Sequence, residues 1–394
     1  MTGSNQNGTA PMWGTTIQFS NLRKREPLMG RTPIRAAVLR EAGAGLVIEE
    51  LFLDDPQPGE VAIRTLAAGL CHSDLHYING SQSIGLPAVL GHEAVGEIVA
   101  VGDAKLEHRL GERVVATITP SCGACAQCIK GMPTLCLDTA RLRERNAPKL
   151  VDSDGRPVNS LGSIGAFAEQ FVINANAAIP VDAGIPAAEA CLMGCAISTG
   201  FGAVVHGAQV SALDTVAVIG CGGIGVAAIQ AARIAGARKI IAIDVHREKL
   251  DRARAFGATD TILSSERLVS DVQEICPGGV DKSFEAVGSP TTAGMAFSIL
   301  GPGGTATILG LERPGSQIQI DAAALIEGDR KITGAYMGSS QPSRDIAAFA
   351  NHRATGALRL ADMVTSRWPF DQINDGFAAM AEPQAIRSVI EFQP

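Results

Sequence analysis

TVAVIGCGGIG, residues 215–225, is the stretch on which the fold turns. An apolar run leads into Gly220, Gly222 and Gly225, and the small-residue run IGVAAIQAARIAGA carries on from it. In a chain with 44 glycines the pattern G-x-G-x-x-G is weak by itself. A buried-strand pattern before it and a helical one after it make it a dinucleotide-binding turn. The first glycine permits the tight turn, the second lets a pyrophosphate approach the backbone, and the third packs helix on strand. The helix start then offers unpaired N–H groups to the phosphates. Gly220, Gly222, Gly223, Ile224 and Gly225 are the expected cradle.

The next apolar run, KIIAID, ends in Asp244. An acid about 20 residues beyond the glycines accepts hydrogen bonds from a ribose 2′-hydroxyl and repels a 2′-phosphate. NAD is therefore expected over NADP, with Arg247 leaving an opening for NADP. A competing role for Asp244 is a strand-end cap for a helix starting near His246. Lys249 reaches the adenosine ribose or is a solvated helix lysine.

Outward from this turn, two textures are visible. Towards the C-terminus REKLDRARAFGA, DTIL, DKSFEAVG, TTAGMAFSIL, TATILG and KITGAYM alternate apolar runs with helical periods, which implies parallel βαβ units. Towards the N-terminus, RAAVL, LVIEEL, EVAIRTLAAG, AVGEIVAVG, ERVVATI and FAEQFVI are short β-type runs broken by Gly, Pro and Asp. They suggest a mostly antiparallel, barrel-like domain. Near Met337 the alternation stops. RDIAAFA and FDQINDGFAAM are expected helices, and SVIEF an expected strand that returns to the first domain. The expected class is α/β, a doubly wound parallel sheet plus a β-barrel domain. The expected division is an extension over residues 1–31, a first domain over 32–197, a dinucleotide domain over 198–338 and a return over 339–394.

Bulk properties agree. A chain of 394 residues is long for one core, and 46% hydrophobic content excludes wholesale disorder. A net charge of −7 argues against nucleic acid or an anionic membrane surface as a partner. No apolar run approaches the ~20 residues of a spanning helix. The first residues lack the apolar core of a secretory signal, so a reducing cytoplasm is expected, where clustered thiols bind metal rather than pair.

SCGACAQCIKGMPTLC, residues 121–136, holds four of the nine cysteines. Cys122, Cys125, Cys128 and Cys136 are spaced C-x2-C-x2-C-x7-C, which suits a tetrahedral zinc with four thiolates. The competing iron–sulfur pattern has three residues before its last cysteine and a proline after it; here there are seven, and Leu137 follows. Four protein ligands leave no open position, so this ion is expected to hold a loop, contributing on the order of 10 kcal/mol to local folding.

GLCHSDLH, LGHEAVG and LMGCAISTGFG supply Cys71, His92 and Cys195. Singly, each has a structural explanation. Together they offer two thiolates and an imidazole, which leaves one zinc position open. Cys191 and Cys221 read as small core or loop residues, and Cys276 as a surface or helix-end thiol.

With CHSD, GHE, the four-cysteine lobe, GCAISTG, GCGGIG with its acid, and IRSVIEF in this order, the chain from about residue 33 onward resembles the zinc-dependent medium-chain alcohol dehydrogenases, in their longer, liver-type form. The resemblance implies a GroES-like first domain, two zinc ions per chain and NAD. It makes Cys71, His92 and Cys195 ligands of the reactive zinc and places Glu93 behind it. Asp74 would bond the His92 ring, Ser73 would contact the substrate oxygen, and His76 would end a proton relay. Thr199 would line the nicotinamide pocket, and His72 and Arg387 would contact the pyrophosphate. Other members carry arginine at the His72 position, and the alternative for Arg387 is a surface ion pair. Ile118, Leu311 and Tyr336 fall where relatives line an apolar channel for a primary or secondary alcohol. A homodimer paired sheet edge to sheet edge is expected, with a tetramer as the alternative.

Two rivals stay open. One is a non-catalytic or zinc-free cofactor-binding relative. The other is a thiol-adduct or formaldehyde dehydrogenase, for which Arg141, Arg143 and Arg145 would hold an anionic tail; the alternative there is a solvated charged loop.

Overall fold

The structure, a computed structural model, describes residues 30–393. The expected extension over residues 1–31 lies, apart from Gly30 and Arg31, outside the described residues.

The N-terminal part contributes β1 (Thr32–Leu39), β2 (Val47–Leu53), β3 (Glu60–Gly69), β4 (Ala88–Val89), β5 (Ala94–Val101), β6 (Arg113–Ala116), β7 (Leu150–Val151), β8 (Pro157–Ser160), β9 (Gln170–Asn174) and β10 (Ala178–Pro180). β1, β2, β7, β8 and β4 close a small barrel, in which only the β4–β8 pair is parallel. β10, β6, β5 and β3 run on as a second sheet, with β9 pairing beside β3. Ile63, Leu39, Leu51, Phe167 and Phe171 are fully enclosed in the core of this part. FAEQFVI is strand only from Gln170; Phe167 instead bonds the Gly91 turn through its N–H to Leu90.

The parallel sheet follows as β11 (Thr215–Ile219), β12 (Lys239–Asp244), β13 (Asp260–Leu263), β14 (Val280–Glu285), β15 (Leu300–Ile308) and β16 (Lys331–Gly334). Its order is β13-β12-β11-β14-β15-β16, every pair parallel. This is the doubly wound arrangement, and its ligand crevice opens where the order reverses, between β11 and β14. The glycine turn sits at that point. β11 is buried on both faces, as its unbroken apolar run requires.

β17 (Val364–Pro369) and β18 (Arg387–Glu391) are the last strands among the described residues. β18 pairs antiparallel with β3, with Val389 opposite Gly69, so the last residues sit in the first sheet.

The two parts share an apolar core along the helix Ala196–Gly202. All seven of its residues are buried, and a Cβ on Gly200 would overlap the Ile224 carbonyl of the helix Gly223–Ile234. Helical turns over Ala187–Gly207 were not expected from the sequence. A helix surrounded by protein needs no polar face, so it carries no amphipathic period to read. Among the described residues no single helix is long and apolar enough to cross a membrane.

Candidate metal centre and dinucleotide cleft

The site is built around the helix His72–Ile78. Cys71 precedes it in extended backbone, and the Asp74 carboxylate turns back to accept the Cys71 N–H at 3.3 Å. The same fully buried carboxylate accepts the Gly91 N–H at 3.0 Å and meets His92 Nδ1 at 3.3 Å. One side chain thus fixes two separate segments and leaves the far imidazole nitrogen free to ligate. Gly91 has φ +89°, and a Cβ there would lie 2.6 Å from the Phe167 ring, so only glycine allows the turn that delivers His92.

Cys195 enters from the start of the helix Ala196–Gly202. The ligand atoms of Cys71, His92 and Cys195 lie within 4.8 Å of one another, and all three residues are buried. Zinc held by two sulfurs and a nitrogen needs them roughly 3.5 Å apart, a small contraction. The charges fit as well. The two thiols titrate as a pair: their mutual hydrogen bond takes Cys71 well below the usual thiol range and Cys195 well above it. A cation between them lets both ionise. Burial alone would press the His92 imidazole down, but the Asp74 charge and hydrogen bond raise it well above its usual range.

Glu93 supplies the clearest sign of an expected ion. It is fully enclosed, and neither carboxylate oxygen has a hydrogen-bond partner; the Ala196 N–H points towards it without reaching bonding geometry. Burial pushes its carboxyl up to about 7 against the pull of Arg387. Gly69 makes the room, since a Cβ there would sit 2.9 Å from the Glu93 carboxyl carbon.

Arg387 is 4% exposed, which excludes a surface ion pair. It donates to the Leu70 carbonyl at 3.3 Å, its Nε has no partner, and a Cβ on Gly223 would overlap its guanidinium. Arg387 therefore lies between Glu93 and the glycine turn. In that turn Gly220 has φ +92°, and a Cβ on Gly225 would overlap the Gly220 carbonyl. A Cβ on Gly222 would meet nothing within 4 Å, so that face of the turn is open to a ligand. The two expectations for Asp244 are compatible. Its oxygens accept the His246 N–H at 3.0 Å and the Cys221 N–H at 2.8 Å, and each keeps a lone pair for a ribose hydroxyl. His72 is accessible yet walled by protein. Burial presses its imidazole below the usual range; Cys71 opposes this, and Arg387 and Lys249 add to it. Three basic side chains thus converge on the cleft mouth.

Beside the donor set lies a cavity of about 240 Å³. Ser73, His92, Cys195, Thr199 and Ile224 line one end, and Ile118, Leu311 and Tyr336 all line its walls. Tyr77 lines it too and went unread in the sequence, although it stands one helical turn beyond Ser73. Tyr77 and Tyr336 are the chain's only tyrosines. Asp74, Glu93 and His76 do not border the cavity.

In the lobe, the sulfurs of Cys122, Cys125, Cys128 and Cys136 also lie within 4.8 Å of one another. Backbone N–H groups point at them: Cys122 to Cys136 Sγ at 3.3 Å, Cys125 to Cys122 Sγ at 3.2 Å and Leu137 to Cys125 Sγ at 3.4 Å. The N–H groups of Cys128 and Leu137 hold the Cys125 thiol down to about 6, while burial pushes Cys128 up to about 12. Cys191 and Cys221 are buried, and so is Cys276, which is a helix-end thiol but not a surface one.

The loop beyond the lobe is neither a solvated charged loop nor a uniform basic patch. Arg141 is exposed beside Asp138 at 3.5 Å. Arg145 is buried against Asp54 at 2.9 Å and Glu60 at 3.2 Å. Arg143 donates to the Ile118 carbonyl, has a buried Nε without a partner, and forms no ion pair among the described residues. Its charge bears on Tyr336 in the cavity wall.

Comparison with known proteins gives the family. Residues 57–183 match a sequence family described as alcohol dehydrogenase GroES-like domain, and residues 223–352 match one described as zinc-binding dehydrogenase. The chain is 34% identical over 363 residues to the NDMA-dependent alcohol dehydrogenase of Amycolatopsis methanolica, covering 90% of this chain and 98% of that protein. Its structure matches an alcohol dehydrogenase zinc-binding domain protein from Burkholderia ambifaria, with TM-score 0.87, 32% identity, and 92% and 100% of the two chains covered. It also matches the benzyl alcohol dehydrogenase of Acinetobacter calcoaceticus, with TM-score 0.83, 30% identity, and the same coverage. Fold, motif order and relatives agree: the chain is an oxidoreductase of alcohol dehydrogenase type and belongs to the zinc-dependent medium-chain alcohol dehydrogenase family.

Proposed function

We propose that this protein oxidises a primary or secondary alcohol to the aldehyde or ketone, reversibly, with one reactive and one structural zinc per chain and NAD as hydride acceptor. The carrying observation is the three-ligand donor set of Cys71, His92 and Cys195, whose His92 and Cys195 border an apolar cavity. Cys71, His92 and Cys195 would hold the reactive ion, and the four lobe cysteines the structural one. The glycine turn, Asp244, Lys249, His72, Arg387, Thr199 and Ile224 would hold NAD.

When bound, zinc acidifies a hydroxyl, as it lowers the pKa of bound water to about 7, and NAD takes up hydride. The chain supplies geometry and a proton path. The apolar walls exclude water. Ser73 sits in the cavity beside His92, in reach of a substrate hydroxyl. His76, one turn on, faces the same side of the helix and is half-buried. Burial, opposed by Cys71 and reinforced by Arg313, presses its imidazole below the usual range, so it is neutral at pH 7 and able to accept the proton. Asp74 orients His92, and Glu93 stands behind the donor set to stabilise positive charge.

A homodimer fits the open edge of the parallel sheet. β16 ends that sheet, and Ile318, Ile320 and Ile332 form an apolar groove beside it. Arg143, which acts on Tyr336 and forms no ion pair among the described residues, favours a second reading, a thiol-adduct or formaldehyde dehydrogenase whose substrate carries an anionic tail. Comparing kcat/KM for neutral and carboxylate-bearing substrates separates the two.

The principal test is NADH formation across a set of alcohols, with and without chelator, alongside metal analysis. NADP and NDMA arms test the acceptor. Two zincs per chain and NAD-dependent turnover support the proposal; one zinc or none supports a zinc-free relative. Cys71→Ala and His92→Ala should abolish turnover while NAD still binds, and normal turnover in either refutes the assignment.

A further inference from the structure

Across the cleft from the helix His72–Ile78, residues 310–313 leave β15 and lie against the barrel part. The segment is fastened at three points. The Gly310 N–H donates to Glu285 at 3.3 Å, the Glu312 carbonyl accepts from Gln82 Nε2 at 2.8 Å, and Arg313 donates to Ser81 Oγ at 3.2 Å. Gln82 also donates its own N–H to the His76 carbonyl at 2.8 Å. One glutamine therefore holds both the end of the helix that carries His76 and the strand exit that carries Arg313. None of these residues carries a family motif named above.

We propose that Arg313, anchored across the cleft on Ser81 and tied through Gln82 to the helix end that carries His76, is a positioning residue for proton release through His76. The proposal rests on the reading of His76 as the proton outlet. The titratable groups facing His76 are Cys71 and His72 on its own segment and Arg313 on the opposite one. Arg313 is the permanent cation among them. Its charge presses the His76 imidazole down, in the same direction as burial and against Cys71. A proton acceptor that stays unprotonated down to lower pH extends the working range of alcohol oxidation on the acid side. Arg313 belongs to the parallel-sheet part and Ser81 to the barrel part, so this contact joins the two faces of the cleft.

Arg313 is exposed, so its effect passes partly through solvent. A unit charge several ångströms away in water shifts a pKa by about half a unit. The test is the pH profile of kcat/KM for alcohol oxidation by the zinc- and NAD-loaded enzyme, from pH 5 to 9. Arg313→Gln should move the acid limb up by about half a pH unit, a loss of about twofold at pH 6 and none at pH 8. Arg313→Lys should restore the limb, and Ser81→Ala should move it part of the way. Salt at 1 M, with a Debye length of about 3 Å, should bring the wild type to the Arg313→Gln profile and leave that variant unchanged. His76→Gln keeps the two levels apart. If it leaves the acid limb in place, His76 is not the proton outlet and both readings fall. If it removes the limb while Arg313→Gln leaves it unmoved, only the Arg313 inference is overturned.

Discussion

Replacing Asp74 with Asn probes how the metal centre is assembled. The Asp74 carboxylate makes three buried contacts, to the N–H groups of Gly91 and Cys71 and to His92 Nδ1. Asn retains an oxygen for Gly91 and His92 but presents its NH2 to the Cys71 N–H. Two donors then face each other in a fully buried site, and one orphaned buried donor costs about 1–3 kcal/mol. The negative charge that raises His92 also disappears, so the ring is a weaker ligand. Loss of such an outer partner lowers metal affinity about 10–100-fold. The assay is zinc release to a competing chelator, with the lobe ion as internal reference. One equivalent should leave about 10–100-fold more readily, and the other should be unaffected. Release of the first equivalent at the wild-type affinity, with the fold intact, refutes the claim that Asp74 orients His92.

The glycine turn gives a paired test. Gly225→Ala should lower the unfolding temperature, because its Cβ overlaps the Gly220 carbonyl, whereas Gly222→Ala should leave it unchanged and weaken NAD binding at least about tenfold by filling the open face, as titration would show. Arg145→Met should lower stability by about 3 kcal/mol by stranding Glu60 and leaving Asp54 with Arg31 alone, with turnover per folded molecule unchanged; denaturant unfolding reads the first and active-site titration the second. Lys149 donates to the Ser163 carbonyl at 2.7 Å, and burial pushes its amine down to about 7 from 10.5. Between those values the unfolded chain binds the extra proton, so stability rises with pH from 7 towards 10.5, and below 7 the full penalty is present. Lys149→Met should flatten that rise in unfolding midpoints measured across the window.

The dinucleotide half was legible because its signals are local. A buried parallel strand is an unbroken apolar run, and the glycines that turn it are irreplaceable by sterics at Gly220 and Gly225. The two thiol-rich groups were legible because few residue types bind zinc, and their sulfurs do converge. Long-range packing was not. The helical turns over Ala187–Gly207 are enclosed on every side and show no periodic polar face. The three arginines after the lobe look alike in sequence, but only the fold assigns one to solvent, one to a buried ion pair and one to the carbonyl of Ile118, a residue of the cavity wall. Asp244 was posed as cap or cofactor ligand, and its two oxygens leave capacity for both.

The pairing of β18 with β3 also bears on how the chain is made. Arg387 and its partner Leu70 are 317 positions apart. On a ribosome, β3 emerges early and waits without that neighbour until more than three hundred further residues have been added. The parallel sheet, built from near neighbours, can form meanwhile. The barrel part therefore completes its sheet after the parallel sheet has been made, and deleting β18 should impair its assembly.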